Sequence, residues 1–192
     1  KLSSFKSFGA LAGGTALALQ LGHRRSFDFD IFTLKPLPKS GLRTVEKTFN
    51  KVQPLLNTSD ELTVNIGGAI KLSIIYFPFP PKDSYVAGYP IPLWSIADIA
   101  GNKAYVIGRR GTYRDYVDIY ALLVQGVTLK KIISNAASRF GESFNERLFL
   151  QQLQYLKDLD DFTVDWLWPP KTPKQVVKYL ARAVSKYTKT DL

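Results

Sequence analysis

The chain has 192 residues, a formal net charge of +10, 45% hydrophobic residues, no Cys and one His. That length suits one sizeable domain or two small ones, and the composition belongs to a folded rather than a disordered chain. Disulfides, thiolate metal sites and His-rich metal sites are excluded, and no apolar run reaches the ~20 residues of a membrane-spanning helix. The basic excess favours a polyanionic partner such as nucleic acid. Any bound metal must be held by oxygen, which suits Mg²⁺ or Mn²⁺. The lack of Cys fits a reducing cytoplasm, and a chain that opens at Lys1 with no Met anywhere is expected to have its natural N-terminus upstream.

In chain order, residues 8–12 read as a short buried strand running into Gly13-Gly14, and Thr15 opens a helix that stops near Gly22. Residues 27–33 alternate strictly, with Phe27, Phe29 and Ile31 on one side and Asp28 and Asp30 on the other, which is the period of a strand. A helix is expected over 42–55, ending near Pro54. Strands follow at 61–66 and 69–77, joined by Gly67-Gly68 as a hairpin turn. A proline-rich connection then leads to helical periodicity over 95–109, 113–125, 128–140, 145–159 and 173–187, with Ser95 and Thr128 as N-caps. The fold class is therefore α+β: a mixed sheet with helices over 1–92, then an all-helical half over 93–192.

One constellation carries chemistry. Gly13 and Gly14 lie at a strand-to-helix turn, where missing side chains let backbone N–H groups approach a ligand, and the helix starting at Thr15 adds a dipole that favours phosphate. Asp28 and Asp30, two positions apart on a strand, point to one face roughly 7 Å apart at the backbone. Their oxygens can converge on one divalent ion or on a pair of ions, as in-line phosphoryl chemistry uses. Each feature alone is common and structurally innocuous; their order and spacing together are specific.

The stretches Leu11-Ala12-Gly13-Gly14-Thr15-Ala16-Leu17 and Gly22-His23-Arg24-Arg25-Ser26-Phe27-Asp28-Phe29-Asp30-Ile31-Phe32 closely resemble the AbiEii/AbiGii-type nucleotidyltransferase toxins of the DNA polymerase β-like superfamily. A second block, with Lys103 on one helix and Arg114-Asp115-Tyr116-Val117-Asp118 on the next, resembles the same family. The resemblance implies that Asp28 and Asp30 bind metal, that Gly14 and Ser26 touch the triphosphate of an NTP, with Gly13 and Thr15 beside them, and that Lys103 steadies its phosphates. Asp115 is then the candidate base or positioning group for the acceptor hydroxyl. The superfamily's third carboxylate comes from a later strand; here that strand offers Lys71 and no acid, while Glu61 opens the preceding one. Either the site works with two carboxylates, Asp115 taking the missing role, or activity is reduced; the first is the arrangement preferred for a toxin-type member. The resemblance also implies a toxin restrained by an antitoxin, tied to phage defence, with RNA, tRNA or protein as acceptor.

The residues bear on this independently. Lys103 falls on the apolar stripe of Ile96, Ile99 and Ile107, so it needs an anion, either carboxylate or phosphate. Asp115 and Asp118 lie one turn apart and repel unless a cation intervenes, from Lys103, Arg109, Arg110 or a metal. His23 is expected to pack and hydrogen-bond rather than catalyse, while Arg24 and Arg25 face phosphate or water. The last helix carries Lys174, Lys178, Arg182 and Lys186 at four-residue intervals, either a solvated face or a track for RNA. Two rival readings remain: a non-catalytic nucleic-acid-binding protein on this scaffold, which would not need Asp28, Asp30 and Lys103 together, and an aminoglycoside-type transferase, which would need an acidic pocket.

Overall fold

The computed structural model describes residues 1–88 and 90–190, without the side chain of Arg110. The chain divides into two compact units, one of residues 1–19 and 26–95, the other of residues 20–25 and 96–192.

The first unit is built on a five-stranded mixed sheet. Strand β1 (Ala10–Ala12) leads directly into helix α1 (Gly13–Leu21), followed by β2 (Asp28–Thr33), α2 (Gly41–Thr48), β3 (Val52–Asn57), β4 (Glu61–Ile66) and β5 (Ile70–Tyr76). The spatial order is β1-β2-β5-β4-β3, with β2 and β5 parallel and every other pair antiparallel. Residues 92–94 extend the sheet at the free edge of β1: Leu11 N–H donates to Pro92 O and Trp94 N–H donates to Leu11 O, both at 2.9 Å. Alternation along the strands sends Ile31, Leu62, Val64, Leu72 and Ile74 into the core with Ala16, Leu17 and Val45. Gly67 and Gly68, at φ +62 and +80, reverse the chain between β4 and β5, a conformation that side chains resist.

Two expectations are corrected. The helix expected over 42–55 stops at Thr48, and the chain turns at Lys51, a non-glycine at φ +55, into the edge strand β3. Pro54 sits within that strand at a register shift, which an edge tolerates because proline has no N–H to give. The strand hides from pattern reading because nearly all of it is exposed, so no alternation marks it.

The second unit is helical: α3 (Ile96–Arg110), α4 (Tyr113–Val124), α5 (Leu129–Phe140), α6 (Glu146–Gln152) and α7 (Pro173–Thr190). Helix α3 packs against α4, α5 and α6, and α7 packs on α4 and α5. Thr128 caps α5 by accepting from Lys131 N–H, as its side-chain chemistry predicts. The helix expected over 145–159 ends at Gln152 instead. Acidic turn residues follow, and Asp161 accepts from the N–H of Thr163.

Trp94 fixes the loop that closes the first unit's sheet. It is fully buried and meets the rings of Phe32 and Phe77 edge-on, at 5.2 and 5.9 Å. Trp94→Ala is expected to lower unfolding stability by about 3–5 kcal/mol, read from the urea midpoint; a loss under about 1 kcal/mol would show that the indole does not anchor this edge.

Candidate active site

The candidate site residues form two clusters, one in each unit. In the first, β2 sets Asp28 and Asp30 on the same side of the sheet, both half-buried. Their register partners on the parallel neighbour β5 are Lys71 and Ser73. The polar row continues sideways: Thr63 Oγ1 lies 3.0 Å from Ser73 Oγ and donates to Glu61 Oε1 at 2.7 Å. Beside Asp30, β5 therefore presents the Ser73 hydroxyl rather than an acid. Pattern reading picked out Lys71 and Glu61 but missed the Ser73–Thr63 link, because only register reveals it.

Gly13 is the close neighbour of this row. It holds φ +64, and a Cβ built there would stand 2.5 Å from Asp30 Oδ2. Only glycine lets the Asp30 carboxylate lie against the start of α1, whose first N–H groups lack helical partners. Thr15, almost wholly buried, donates its hydroxyl to the backbone carbonyl of Asp28 and lies 2.9 Å from Ser26 Oγ. Its side chain thus ties the first turn of α1 to the start of β2, so Gly13, Thr15, Ser26, Asp28 and Asp30 are brought together.

The donor chemistry here suits a hard divalent cation: two carboxylates and hydroxyls, with no sulfur or imidazole. Among the described residues no group of three or more His, Asp or Glu side chains gathers in a metal-sized cluster. A bound ion would therefore need water or substrate phosphate oxygens to complete its shell, which is how Mg²⁺ is usually held.

The second cluster centres on Asp118, which has no solvent exposure. Lys103 Nζ lies 2.7 Å from Asp118 Oδ2 and 2.7 Å from Asp115 Oδ1, bridging the two carboxylates that would otherwise repel. Arg24 grips Asp118 with two nitrogens, Nε to Oδ1 at 2.8 Å and Nη2 to Oδ2 at 3.0 Å. His23 Nε2 lies 2.8 Å from Oδ1. Asp115 also closes a capping box at the start of α4, accepting from Thr112 N–H at 2.7 Å and Thr112 Oγ1 at 3.0 Å. Segment 22–25 is pinned from the other side as well: His23 O accepts from the N–H groups of Leu167 and Trp168, and Arg25 N–H donates to Asp165 O.

His23 is a buried structural residue, as its solitude suggested. Arg24 departs from expectation: it is buried and grips a buried carboxylate. The clue lies in Asp118, which sits one turn from Asp115 and needs a cation, although no local spacing points to Arg24 as its source. Arg25 is exposed and reaches Asp165 at 3.5 Å. Arg109 lies over the Tyr105 ring at 3.9 Å and donates to Ser143 O at 2.7 Å. Arg114 is exposed on α4, and the side chain of Arg110 lies outside the described residues.

A family model described as nucleotidyl transferase AbiEii toxin, type IV toxin–antitoxin system, matches residues 2–167. An Aquifex aeolicus (strain VF5) protein is 27% identical over 182 residues, covering 92% of this chain and 86% of that one. The fold is shared with MenT4, a nucleotidyltransferase toxin from Mycobacterium tuberculosis H37Rv, at a TM-score of 0.67 and 16% identity over 100% of this chain and 80% of that chain. It is shared also with JHP933 from Helicobacter pylori, at a TM-score of 0.59 and 19% identity over 98% and 87%.

Burial alone would raise the pKa of Asp118, but Lys103, the His23 hydrogen bond and Arg24 outweigh it and hold the carboxyl well below the usual range. Burial pulls Lys103 down, yet Asp115 and Asp118 outweigh that and hold it above an ordinary lysine. The depressed acid contributes its full stability above about pH 4 and loses it as pH falls further; the raised lysine contributes fully below about pH 10 and loses it only above. Asp118→Asn should cost about 3–5 kcal/mol, since it strands buried cations, and should flatten the acid limb of stability against pH. Denaturant titrations at pH 3 and pH 7 check this; a variant as stable as the parent would remove Asp118 from its central place.

Proposed function

Because the chain belongs to the AbiEii family of nucleotidyltransferase toxins, we propose that it moves a nucleoside monophosphate from an NTP to an acceptor hydroxyl on RNA or protein, releasing pyrophosphate. The observation that carries this reading is the fit between Gly13 and Asp30: a carboxylate lies against a glycine turn at a helix start, on the strand face that also bears Asp28. Gly13 leaves the Asp30 carboxylate room beside the first turn of α1, so that a metal-bound phosphate could be met by the acid and by the helix start together.

In this reading the acceptor oxygen attacks the α-phosphorus, the bond to the β-phosphate oxygen breaks, and pyrophosphate departs with the charge. Asp28 and Asp30 would hold Mg²⁺ or Mn²⁺, which neutralises charge on the reacting phosphoryl group. The N–H groups at Gly13, Gly14 and Thr15 offer the phosphates a preorganised cradle, with Ser26 Oγ beside it. Thr15 acts through its hydroxyl as a positioning residue, holding the start of β2. Lys103 and Asp115 keep the parts the resemblance gives them, phosphate contact and acceptance of the hydroxyl proton. Each already engages the other, so their charges are balanced before substrate arrives.

The setting is that of a toxin held in check by a cognate antitoxin in the cytoplasm, with a part in phage defence. The family's description supports the toxin–antitoxin half of this. No helix among the described residues is long and apolar enough to cross a membrane.

Asp30→Ala should abolish transfer of label from α-labelled NTPs to total RNA or protein in the presence of Mg²⁺, with the circular dichroism spectrum unchanged. Gly13→Ala should cut the same transfer at least about 100-fold, because its methyl group displaces the Asp30 carboxylate. Full turnover by Asp30→Ala, or no pyrophosphate release by the parent protein from any NTP, would overturn the proposal.

A further inference from the structure

The chain's positive charge is concentrated. Helices α5 and α7, of 12 and 18 residues, hold eight Lys and Arg and not one Asp or Glu. The rest of the chain is close to neutral, since its remaining Lys and Arg barely outnumber the 16 acids of the whole sequence. Of the eight, only Arg139 turns inward, donating to the Asp98 carbonyl at 2.8 Å. Lys130 and Lys131 at the start of α5, and Lys174, Lys178, Arg182, Lys186 and Lys189 along α7, are all exposed.

Four of the α7 cations recur every fourth residue, a rise of about 6 Å each, so they form a slowly winding ridge rather than a cluster. The opposite face of α7 is already spent on the interior: Val176, Leu180, Val184 and Tyr187 are buried. A helix that docks on lipid needs that face free, so a membrane surface does not fit. Beside the ridge, where α7 passes the start of α5, lies an open trough of about 320 Å³ lined in part by Val127, Lys130, Tyr179, Ala183 and Lys186. It is apolar inside, with the two lysines among its walls.

We propose that α5 and α7 form a docking surface for single-stranded RNA, with phosphates on the α7 ridge and one unstacked base in the trough. Regular cations track a sugar–phosphate backbone, and an aromatic-lined recess takes a base without demanding its identity. The choice of RNA over other polyanions rests on the transferase reading, which calls for an acceptor rich in hydroxyls; the surface itself does not depend on that reading.

The test uses the full chain and a fluorescein-labelled single-stranded RNA of about 20 nucleotides, by anisotropy from 50 to 200 mM salt. Lys178→Glu/Arg182→Glu/Lys186→Glu should bind at least about 100-fold more weakly and show a log–log salt slope flatter by about 3. Ala183→Trp, which fills the trough, should weaken binding several-fold without changing the slope. The matched triple Lys35→Glu/Lys39→Glu/Lys47→Glu, with the same change of net charge in the first unit, should stay within about twofold of the parent. Equal losses in the two triples would reduce the effect to overall charge and overturn the surface. So would tight binding of poly-glutamate or of phosphatidylserine vesicles with none of RNA. Asp30→Ala should bind RNA as the parent does, so a failure of the transfer chemistry and a failure of docking are read separately.

Discussion

A carboxylate sealed from solvent must find its counter-charge within the protein, and Asp118 meets that demand with Lys103 and Arg24, with the His23 ring 2.8 Å from Oδ1. The second unit depends on this arrangement. One side chain on α4 fixes α3 through the lysine and segment 22–25 through the arginine and histidine. The same lysine then reaches Asp115, whose other oxygen holds the first turn of α4. Removing Asp118 leaves buried cations short of their complement, a far larger penalty than the loss of one hydrogen bond. The geometry is therefore mutually enforced rather than assembled from independent contacts.

The first unit solves a different problem. Its candidate site is made mainly by backbone: a glycine turn with no side chain, a helix start, and two acids delivered by the two-residue period of β2. Here the absence of a methyl group matters more than any ion pair. Interior charges are locked in the second unit, whereas the first leaves carboxylates half open beside main-chain donors. That contrast agrees with giving the metal-binding part of the chemistry, and the glycine-turn cradle for phosphate, to the first unit.

Much of this was legible in the sequence where a local period or a short motif governs the outcome. The alternation of Phe27 to Ile31 placed Asp28 and Asp30 on one face, and Gly67-Gly68 announced the hairpin. The helical stripe around Lys103 announced a need for an anion. What escaped is what no window of residues contains. Arg24 and Asp118 are far apart along the chain, so neither advertises the other. Ser73 joins the acidic row only through register with Asp30. Strand β3 is exposed on nearly every residue, and an edge strand with no buried face carries no alternation to read. The proline that argued for a helix end was in fact tolerated by the strand's free edge.

The second unit is discontinuous in sequence: six residues, 20–25, belong to it although they lie between pieces of the first. During synthesis those residues emerge early, yet Asp118, the group they are shaped to hold, arrives some ninety residues later. Until then His23 and Arg24 have no mate, so the helical half cannot mature as an autonomous block behind a finished sheet. A split protein cut near residue 95 would be equally handicapped, since the C-terminal fragment would lack the arginine and histidine it closes upon. The two halves are thus bound to a shared folding schedule by a hexapeptide, not merely by a linker.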